Sequence, residues 1–214
     1  MDTALASLRK EYTQQSLDQS DVLPDPIAQF ERWFAAAQEA QIKEPNAMNL
    51  ATVSSDGRPT ARVVLLKGIE DGCFLLYTNY ESRKGQDILQ HPFVALTFFW
   101  PELERQVRIE GEAHKISEER STAYYHSRPR GSQLGAWVSP QSQVIDDRTI
   151  LDERQQELAE RFDGSTIPRP HYWGGFEVHP HRIEFWQGRP SRLHDRLQYR
   201  RQNDDTWVIE RLAP

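Results

Sequence analysis

The chain has 214 residues, which is enough for one substantial hydrophobic core. Its 32 acidic side chains outnumber its 26 basic ones, and the formal charge of −6 argues against non-specific binding to nucleic acid or to an anionic membrane surface. The longest apolar runs, such as FVALTFF, are far shorter than the roughly 20 residues of a membrane-spanning helix. We therefore expect a soluble, cytoplasmic protein in which any anion site is built from locally clustered cations.

The first twenty residues are predicted to form a mobile arm, and residues 21–214 a single domain with helical additions. The arm segment TALASLRKEYTQQ is polar and has only a thin apolar stripe, so we expect its order to depend on a ligand or a partner. The next segment predicts a helix, because Asp25 can cap it and Pro26 suits its first position. Apolar residues recur there at helical spacing, at Ile27, Phe30, Phe34 and Ala37.

From Ala47 onward, short runs rich in Val, Leu, Thr and Phe alternate with turn signals. Two Asp-Gly pairs divide the segment MNLATVSSDGRPTARVVLLKGIEDGCFLLYTN, which predicts a three-stranded meander. SRKGQDILQHP predicts a short helix capped by Ser82, and FVALTFFW and RQVRIEGEAHKI predict two further strands joined around Pro101. This density of consecutive strands predicts a mainly β, antiparallel protein with flanking helices, an α+β fold built on a small barrel.

The second half begins with a predicted helix, SEERSTAYYHS, whose cap is Ser117. The segment RPRGSQLGAWVSPQSQVI then predicts an unusually long loop, of a kind that often carries function. DDRTILDERQQELAERF predicts an amphipathic helix, and the chain returns to strands in GGFEVHPHRIEFWQG, RLHDRLQYRRQ and WVIERLAP. The inward residues of that helix are expected to be Ile150, Leu151, Leu158 and Phe162.

Four basic side chains stand out in the first β-rich half: Arg62 and Lys67 at the ends of RVVLLK, and Arg83 and Lys84 at the start of the short helix. On one extended strand, Arg62 and Lys67 would point to opposite faces. Free backbone amides and the helix dipole favour a phosphate group at a helix start. The two cations there form either a solvated surface or a phosphate-monoester pocket, and their unfavourable position against the dipole favours the pocket.

A second cluster of candidate ligands lies in AYYHSRPRGSQ, at Tyr124, Arg128, Arg130 and Ser132. Hydroxyls and guanidinium forks are well suited to a phosphate monoester, although an ordinary helix end followed by a loop has the same composition. Two phosphate sites in one small domain would require two phosphorylated ligands, or one ligand with two phosphates.

A third cluster lies near the carboxyl end, in WQGRPSRLHDRLQYRR. If RLHDR is extended, Arg192, His194 and Arg196 share one strand face, and with the indole of Trp186 they suit a planar anionic heteroaromatic ring. A purely structural histidine is the alternative.

Other polar residues give weaker signals. Gln106 in LERQVRIEG either pairs with a flavin-like or base-like edge or takes part in ordinary cross-strand pairing. His179 and His181 have no third metal-type ligand near them, and Pro180 between them predicts a turn, so we expect no metal site. The single cysteine, Cys73, cannot form an internal disulfide and is expected to be a buried apolar residue.

Eight segments together carry a resemblance to a known family. FERWF, RVVLLK, FLLYTNYESRK, LERQVRIEG, YYHSRPRGSQLGAWVSPQS, YWGGFEV, IEFWQG and RLHDR occur in the order typical of the pyridoxamine 5'-phosphate oxidase family, and the chain resembles it from LRKEYT to ERLAP. The resemblance implies an FMN-binding split β-barrel, and a homodimer with FMN at its interface. It also implies oxidation of pyridoxamine 5'-phosphate and pyridoxine 5'-phosphate by O2 to pyridoxal 5'-phosphate, with release of H2O2.

The resemblance also implies roles for individual residues of this chain. It assigns FMN contacts to Arg62, Val63, Val64, Leu65, Leu66, Lys67, Tyr77, Thr78, Arg83, Lys84, Gln106, Gln141, Ser142, Trp186 and Arg196. It assigns substrate contacts to Arg9, Tyr12, Lys67, Tyr124, Arg128, Ser132, Arg192, Leu193 and His194, with Arg192 and His194 as catalytic residues.

Two other classes of protein on the same barrel stay open. A different flavin enzyme, such as a reductase, would keep SRK and Gln106 but would not need Tyr124, Arg128 and Ser132. A non-catalytic carrier of flavin or pyridoxal phosphate would bind the same ligands without consuming oxygen. The chain also has QQSLDQSD where relatives can carry a run of arginines, which puts a regulatory anion site at that segment in doubt.

Overall fold

A nine-stranded antiparallel sheet and five α-helices make up the part of the chain, residues 11–214, that this computed structural model describes. In the same range no helix is both long and apolar enough to cross a membrane. The strands are β1 (Ala47–Val53), β2 (Pro59–Leu65), β3 (Gly68–Glu70), β4 (Cys73–Asn79), β5 (Phe93–Trp100), β6 (Arg105–Lys115), β7 (Trp173–Gln187), β8 (Asp195–Arg201) and β9 (Trp207–Arg211). The helices are α1 (Pro26–Glu39), α2 (Arg83–Gln90), α3 (Glu118–Ser127), α4 (Arg130–Val138) and α5 (Thr149–Arg161).

The sheet curls until its two edges meet. The strand order is β2-β1-β5-β6-β7-β4-β3, yet the outermost strands β2 and β3 are connected only by Leu66 and Lys67. The Leu66 N–H donates to the Asn46 carbonyl at 2.8 Å, and the Lys67 N–H donates to the Leu75 carbonyl at 2.9 Å. This connection spans at most about 11 Å, whereas seven flat strands would span about 29 Å. The sheet therefore closes into a barrel, which confirms the predicted mainly β, antiparallel split-barrel fold.

The predicted three-stranded meander is wrong. β1 and β2 form one hairpin, and β3 and β4 form another across Asp71 and Gly72, but β1 continues onto β5 and β4 onto β7. The two hairpins thus lie on opposite sides of the closure point. Asp71 and Gly72 have φ of 50° and 76°, as a two-residue hairpin turn requires. Turn residues identify a hairpin but carry no information on its next neighbour in the sheet.

Helix α1 packs against the barrel core through Phe30, which is fully buried. The centroid of its ring lies 5.0 Å from that of Phe74 and 5.0 Å from that of Phe98. Asp25 caps the helix by accepting a hydrogen bond from the Ile27 N–H at 3.0 Å. The predicted helix and cap are confirmed, as is the short helix α2 with Ser82 at its cap.

A second, separate core joins α3, α4, α5 and the start of β7. The predicted loop after α3 is wrong for Arg130–Val138, which is helix α4. This helix forms because Leu134 and Val138, four residues apart, both enter the second core. Helix α3, capped by Ser117, and helix α5 are confirmed. The buried members of the second core are Tyr125, Leu134, Val138, Leu158, Phe162, Ile167 and Trp173.

Strand β7 runs without interruption from Trp173 to Gln187, so the turn predicted at Pro180 is wrong. Its register with β6 shifts at this point and leaves His181 without a partner, which is a β-bulge. Before the bulge, even-numbered residues such as Phe176 face the core; after it, odd-numbered residues such as Phe185 do. The bulge therefore reverses which residues of β7 reach the outer surface of the barrel.

Residues 11–18 of the predicted arm run along the barrel without forming a helix. The Gln14 N–H donates to the Glu104 carboxylate at 3.1 Å, and the N–H of the buried Leu17 donates to the Asp195 carboxylate at 3.0 Å. Residues 1–10 lie outside the described part of the chain. The division into a mobile arm and one domain stays a prediction.

Replacing Phe30 with alanine should destabilise the fold by about 3–5 kcal/mol, because it removes the aromatic ring that joins α1 to the barrel and leaves a cavity. Urea unfolding followed by circular dichroism measures this free energy. Leu89→Ala, at an apolar side chain on α2 that is 46% exposed, is the control and should cost less than about 1 kcal/mol. Equal losses in the two variants would contradict this account of the core.

Candidate active site

A cavity of about 510 Å³ opens between the barrel and the second core. β2, β4 and the closing segment supply one wall, and α3, α4 and the segment after α4 supply the other. Side chains from both halves of the chain thus meet at one place. The residues with predicted roles that line it are Leu65, Lys67, Tyr77, Thr78, Tyr124, Arg128, Ser132 and Gln141.

Three parallel aromatic rings form the apolar wall of this cavity. The Tyr77 and Tyr124 rings stack with centroids 3.7 Å apart, and the Trp173 ring is inclined by only 2° to that of Tyr124. Gly175 pairs with Tyr77 across the sheet, and a Cβ there would lie 2.7 Å from Tyr77 Cε1, so only glycine leaves room for the ring. Burial raises the pKa of Tyr77 and of Tyr124, which keeps both phenols protonated at neutral pH.

Arg128 has a buried hydrogen-bond donor for which residues 11–214 supply no partner, its Nη1. Its guanidinium carbon lies 4.4 Å from the centre of the Trp173 ring. Because arginine can only donate, a buried unpaired N–H is costly unless a ligand accepts from it. Lys67, Tyr124 and Ser132 line the same cavity, and together these four groups suit an oxyanion.

Arg130, the remaining member of the second predicted cluster, has a structural role. Its two terminal nitrogens donate to the Ser165 and Phe162 carbonyls, which ties α4 to the end of α5.

Lys84, in the first turn of α2, is turned back toward the cavity wall. Its Nζ donates to Thr78 Oγ1 at 3.0 Å, Ser82 Oγ at 3.1 Å and Gln141 Oε1 at 3.2 Å. All three acceptors are neutral. Burial, and secondarily the charge of Arg62, lower the pKa of Lys84 to about 8. The ammonium group is thus held without a counter-charge from these partners, whereas the neighbouring Arg83 is exposed.

The RVVLLK segment divides between surface, cavity and core. Arg62 donates to Thr52 Oγ1 at 2.7 Å and to Thr60 Oγ1 at 2.5 Å. Val63 is 70% exposed, whereas Val64 and Leu66 pack in the barrel core. Lys67 lies beyond the end of β2, so the strand alternation used to place it opposite Arg62 does not reach it. At the far side of the cavity, Ser142 follows Gln141 and has a left-handed backbone, with φ of 73°.

Three further residues with predicted roles form a row on the outer face of the barrel, away from the cavity lining. Gln106 on β6 is directly opposite Trp186 on β7, which is directly opposite Arg196 on β8. The Arg196 fork donates to both oxygens of the buried Glu184 carboxylate, at 2.9 and 3.0 Å. Side-chain hydrogen bonding to Glu184 raises the pKa of Arg196. The described part of the chain therefore places the predicted residues in two groups, one around the cavity and one on the outer face of the barrel.

The predicted strand face of Arg192, His194 and Arg196 is wrong. β8 begins only at Asp195, and Pro190–Arg192 forms a 3-10 turn. Ser191 and Arg192 both have left-handed backbones, with φ of 56° and 60°. Each such residue costs on the order of 1–3 kcal/mol and is often found at functional sites. As a result Arg192 and Leu193 are exposed, rather than in register with Arg196.

His194 contacts Trp186 and Tyr12. The His194 ring centroid lies 4.6 Å from that of Trp186 and 5.8 Å from that of Tyr12. Its Nδ1 accepts from the Arg189 N–H at 3.1 Å, so the neutral ring carries its proton on Nε2. Burial, and then the charge of Arg192, lower the pKa of His194, which favours this neutral form. Arg9, the other predicted arm residue, lies outside the described residues.

Sequence reasoning missed several residues of this region. Trp173 completes the aromatic wall, and the aromatic pair in front of two glycines in YWGG is the signal that could have indicated it. Thr52, Thr60 and Asp87 lie behind Arg62. No local pattern reveals these three, because they meet only through the pairing of β1 with β2 and the packing of α2 on β1.

The barrel and its cationic, aromatic-lined cavity define a split-barrel protein with a site suited to a phosphorylated planar ligand. Residues 34–161 match the family model described as pyridoxamine 5'-phosphate oxidase, and residues 173–214 match the pyridoxine 5'-phosphate oxidase C-terminal dimerisation region. The chain belongs to the pyridoxamine 5'-phosphate oxidase family, and the second match supports a homodimer.

Two curated relatives match over nearly their whole length. The pyridoxine/pyridoxamine 5'-phosphate oxidase of Acaryochloris marina is 58% identical over 99% of this chain and 96% of its own. That of Salinibacter ruber is 56% identical over 98% of this chain and 99% of its own.

Two solved structures share the fold. PhzG from Burkholderia lata, in complex with tetrahydrophenazine-1-carboxylic acid, superposes with a TM-score of 0.88 at 31% identity, covering 96% of this chain and 100% of its own. A pyridoxamine 5'-phosphate oxidase-related, FMN binding protein from Nostoc punctiforme has a TM-score of 0.70 at 18% identity, covering 86% and 97%.

Gly188→Ala should release the arm from the barrel. A Cβ at Gly188 would lie 2.6 Å from Tyr12 Cγ, so the Tyr12 ring must leave its place beside His194. We expect hydrogen exchange of the Gln14 and Leu17 amides to accelerate by at least about tenfold, as measured by NMR or mass spectrometry. Gly131→Ala is the matched control, because an added Cβ there has no atom of residues 11–214 outside its own helix within 4 Å. Unchanged exchange in Gly188→Ala would mean that Tyr12 is not held there.

Proposed function

We propose that this protein is an FMN-dependent pyridoxal 5'-phosphate synthase. Pyridoxamine 5'-phosphate, O2 and water give pyridoxal 5'-phosphate, ammonia and H2O2; pyridoxine 5'-phosphate and O2 give pyridoxal 5'-phosphate and H2O2. The observation that carries the proposal is the buried Arg128 donor, for which the described residues supply no partner, in a cavity shared with Lys67, Tyr124 and Ser132. The proposal includes a role in vitamin B6 salvage and the cytoplasmic location expected from the sequence.

The residues around α2 fit the phosphate of FMN, the cofactor that the family and its FMN-binding fold support. Arg62, Arg83 and Lys84 bring three positive charges together, and the nearby Asp87 contributes one negative charge. The resulting net charge of about +2 matches a phosphate monoester, which carries about −1.5 to −2 at pH 7. Gln141 and Thr78 are further polar groups at this end of the cavity.

The cavity itself suits the phosphate of the substrate. Tyr124 and Ser132 offer hydroxyl donors, and Arg128 and Lys67 offer charged ones. Arg128 is already held over Trp173, so little side-chain freedom is lost when a ligand binds. One cationic group lines the cavity, and the other adjoins its wall through the contacts of Lys84 with Thr78 and Gln141. Two such groups answer the question raised by the sequence, since they accommodate one phosphate of the cofactor and one of the substrate.

A homodimer would bring the second group of residues to this cavity. Val63, Phe93 and Phe99 are exposed on the outer face of β2 and β5, where apolar side chains favour contact with another copy. Gln106, Trp186 and Arg196 lie on the same outer face, opposite Phe99 in the register. We assign these three, together with Tyr12, Arg192, Leu193 and His194, to the cavity of the partner subunit, along with Arg9.

His194 and Arg192 are assigned to the substrate ring. The neutral His194 offers its Nε2 proton to a ring oxygen, and the exposed Arg192 lowers the pKa of the substrate amine or alcohol by its charge. Holding the phosphate at one end and the ring at the other fixes the donor carbon, a positioning effect that contributes several kcal/mol. Bound FMN supplies the two-electron acceptor, and O2 regenerates it.

Oxygen consumption on addition of pyridoxamine 5'-phosphate tests the proposal. We expect one O2 consumed per pyridoxal 5'-phosphate formed, with H2O2 as the second product. A reductase or a carrier of flavin or pyridoxal phosphate would bind ligand without this uptake. An enzyme of the PhzG type would instead oxidise a reduced phenazine carboxylic acid, a comparison that the ligand of the Burkholderia lata structure suggests.

Arg128→Met should lower kcat/KM for pyridoxamine 5'-phosphate by about 10²-fold, because a charge-assisted contact to the phosphate is lost. The activity toward unphosphorylated pyridoxamine should not change. Arg58→Met, at an exposed arginine paired with Asp56 outside the cavity, is the control. A loss of equal size with both substrates would mean that Arg128 does not bind the substrate phosphate.

The affinity for FMN should fall as the pH rises above about 8, because the free Lys84 ammonium titrates there. A bound phosphate favours the charged form and raises the pKa of Lys84, so binding takes up a proton above pH 8 and weakens by up to about tenfold per pH unit. Fluorescence titration with FMN, and with riboflavin as the phosphate-free control, measures the slope. Lys84→Arg, which stays charged, should flatten the profile; a flat wild-type profile would contradict the role of Lys84.

A further inference from the structure

Behind the proposed phosphate site, helix α2 places a buried carboxylate against two threonines. The side chain of Asp87 is only 7% exposed. Its Oδ2 accepts hydrogen bonds from Thr52 Oγ1 at 2.7 Å and from Thr60 Oγ1 at 3.1 Å. The two threonines face one another across the β1–β2 hairpin, with their hydroxyl oxygens 3.0 Å apart.

The same two hydroxyls accept from Arg62, whose nitrogens lie 2.7 Å from Thr52 Oγ1 and 2.5 Å from Thr60 Oγ1. A guanidinium group only donates, so each hydroxyl must present a lone pair to it. Each hydroxyl has a single proton, and the Asp87 carboxylate, which only accepts, lies where both hydroxyls can donate to it. The carboxylate therefore orients both hydroxyls as acceptors for Arg62.

Charges of both signs act on Arg62. Burial lowers its pKa, the charge of Asp87 raises it, and repulsion from Arg83 lowers it. Burial, and then the charge of Arg62, lower the pKa of Lys84. An exposed guanidinium would turn away from these cations into water. Its Nη2 lies 3.9 Å from Asp87 Oδ2, which is too far for a hydrogen bond. The hydrogen bonds that fix the guanidinium are therefore those to the two threonine hydroxyls and one from Nη1 to the Leu50 carbonyl at 3.3 Å, and Asp87 acts on the first two.

We propose that Asp87 is a positioning residue for phosphate binding, acting through Thr52 and Thr60 to hold the Arg62 guanidinium beside Lys84. This inference rests on the proposed function for the identity of the ligand, the phosphate of FMN. It adds a layer of three residues that do not line the cavity. It also explains why a carboxylate is buried beside a site for an anion.

Replacing Asp87 with asparagine separates two opposing effects. Loss of the negative charge makes the site more positive by one unit, and this change alone would strengthen phosphate binding. Asparagine also replaces the charged acceptor with a neutral amide, whose oxygen accepts more weakly and whose NH2 group competes with Arg62 for the lone pairs of the threonine hydroxyls. This second change weakens binding by freeing Arg62. The proposal requires the second effect to be the larger.

Affinities for FMN and riboflavin, measured by fluorescence titration of the full-length protein, test the proposal. Asp87→Asn should weaken FMN binding roughly tenfold, the loss expected for a charged hydrogen-bonding group, and leave riboflavin binding unchanged. Thr60→Val, which removes one acceptor on the hairpin without burying a new polar group, should act in the same direction. Thr60→Ser should retain the wild-type affinity.

Asp56→Asn is the matched control, because Asp56 is an exposed carboxylate that accepts a hydrogen bond from Ser54 and has no bond to Arg62 among the described residues. The hydrogen bond from Ser54, and to a smaller extent the charge of Arg83, lower the pKa of Asp56, so its charge is felt near the site. It makes the same change of charge without touching the network, and FMN binding should not weaken. FMN binding in Asp87→Asn that equals or exceeds that of the wild type would overturn the proposal. Equal losses for FMN and riboflavin would also overturn it, since they would mean general damage to the fold.

Failure of the proposed function gives a different result. If the wild-type protein binds FMN no more tightly than riboflavin, the phosphate site itself is absent and both proposals fall. If the wild type prefers FMN and Asp87→Asn keeps the full preference, only the positioning role is lost.

Discussion

Two adjacent peptide groups close the barrel, and the rest of the structure depends on that closure. Leu66 bonds to the strand pair on one side and Lys67 to the hairpin on the other, so two edges that would otherwise be exposed are joined. The side chains follow the same division, since Leu66 enters the core and Lys67 lines the cavity. The closing segment thus brings β2 next to β4, and it is this proximity that sets Leu65 and Lys67 beside Tyr77 and Thr78.

Local features of the fold could be predicted from the sequence, and non-local ones could not. The side chains of Asp25, Ser82 and Ser117 each accept from a backbone N–H two or three residues later, so these helix caps could be predicted from the local sequence. The pairing of β4 with β7 joins residues about a hundred positions apart, and no turn motif specifies it. Helix α4 was missed because Gly131, Gly135 and Pro129 suggest a loop, whereas the helix depends on burial against the second core.

For the candidate site, the sequence indicated which residues would come together but not how their backbone would be arranged. The resemblance of whole segments gathered Tyr124, Arg128 and Ser132 with Lys67, and the cavity brings them together. The strand assumed for Arg192 and His194 failed because two left-handed residues turn the backbone there, which no residue in SRLH signals. The carboxylates that position the arginines could not be predicted from the sequence either. Arg62 depends on Asp87, and Arg196 on Glu184, through contacts that exist only once the sheet has formed.

The β-bulge at His181 makes the length of β7 as important as its composition. Every outward residue beyond it, including Glu184 and Trp186, owes its orientation to one additional position in the strand. Deletion of that single residue would exchange the two faces, placing a carboxylate and an indole in the hydrocarbon interior and Phe185 in water. The imidazole at this position is exposed, so the register of β7 depends on the presence of residue 181 and not on the chemistry of its side chain.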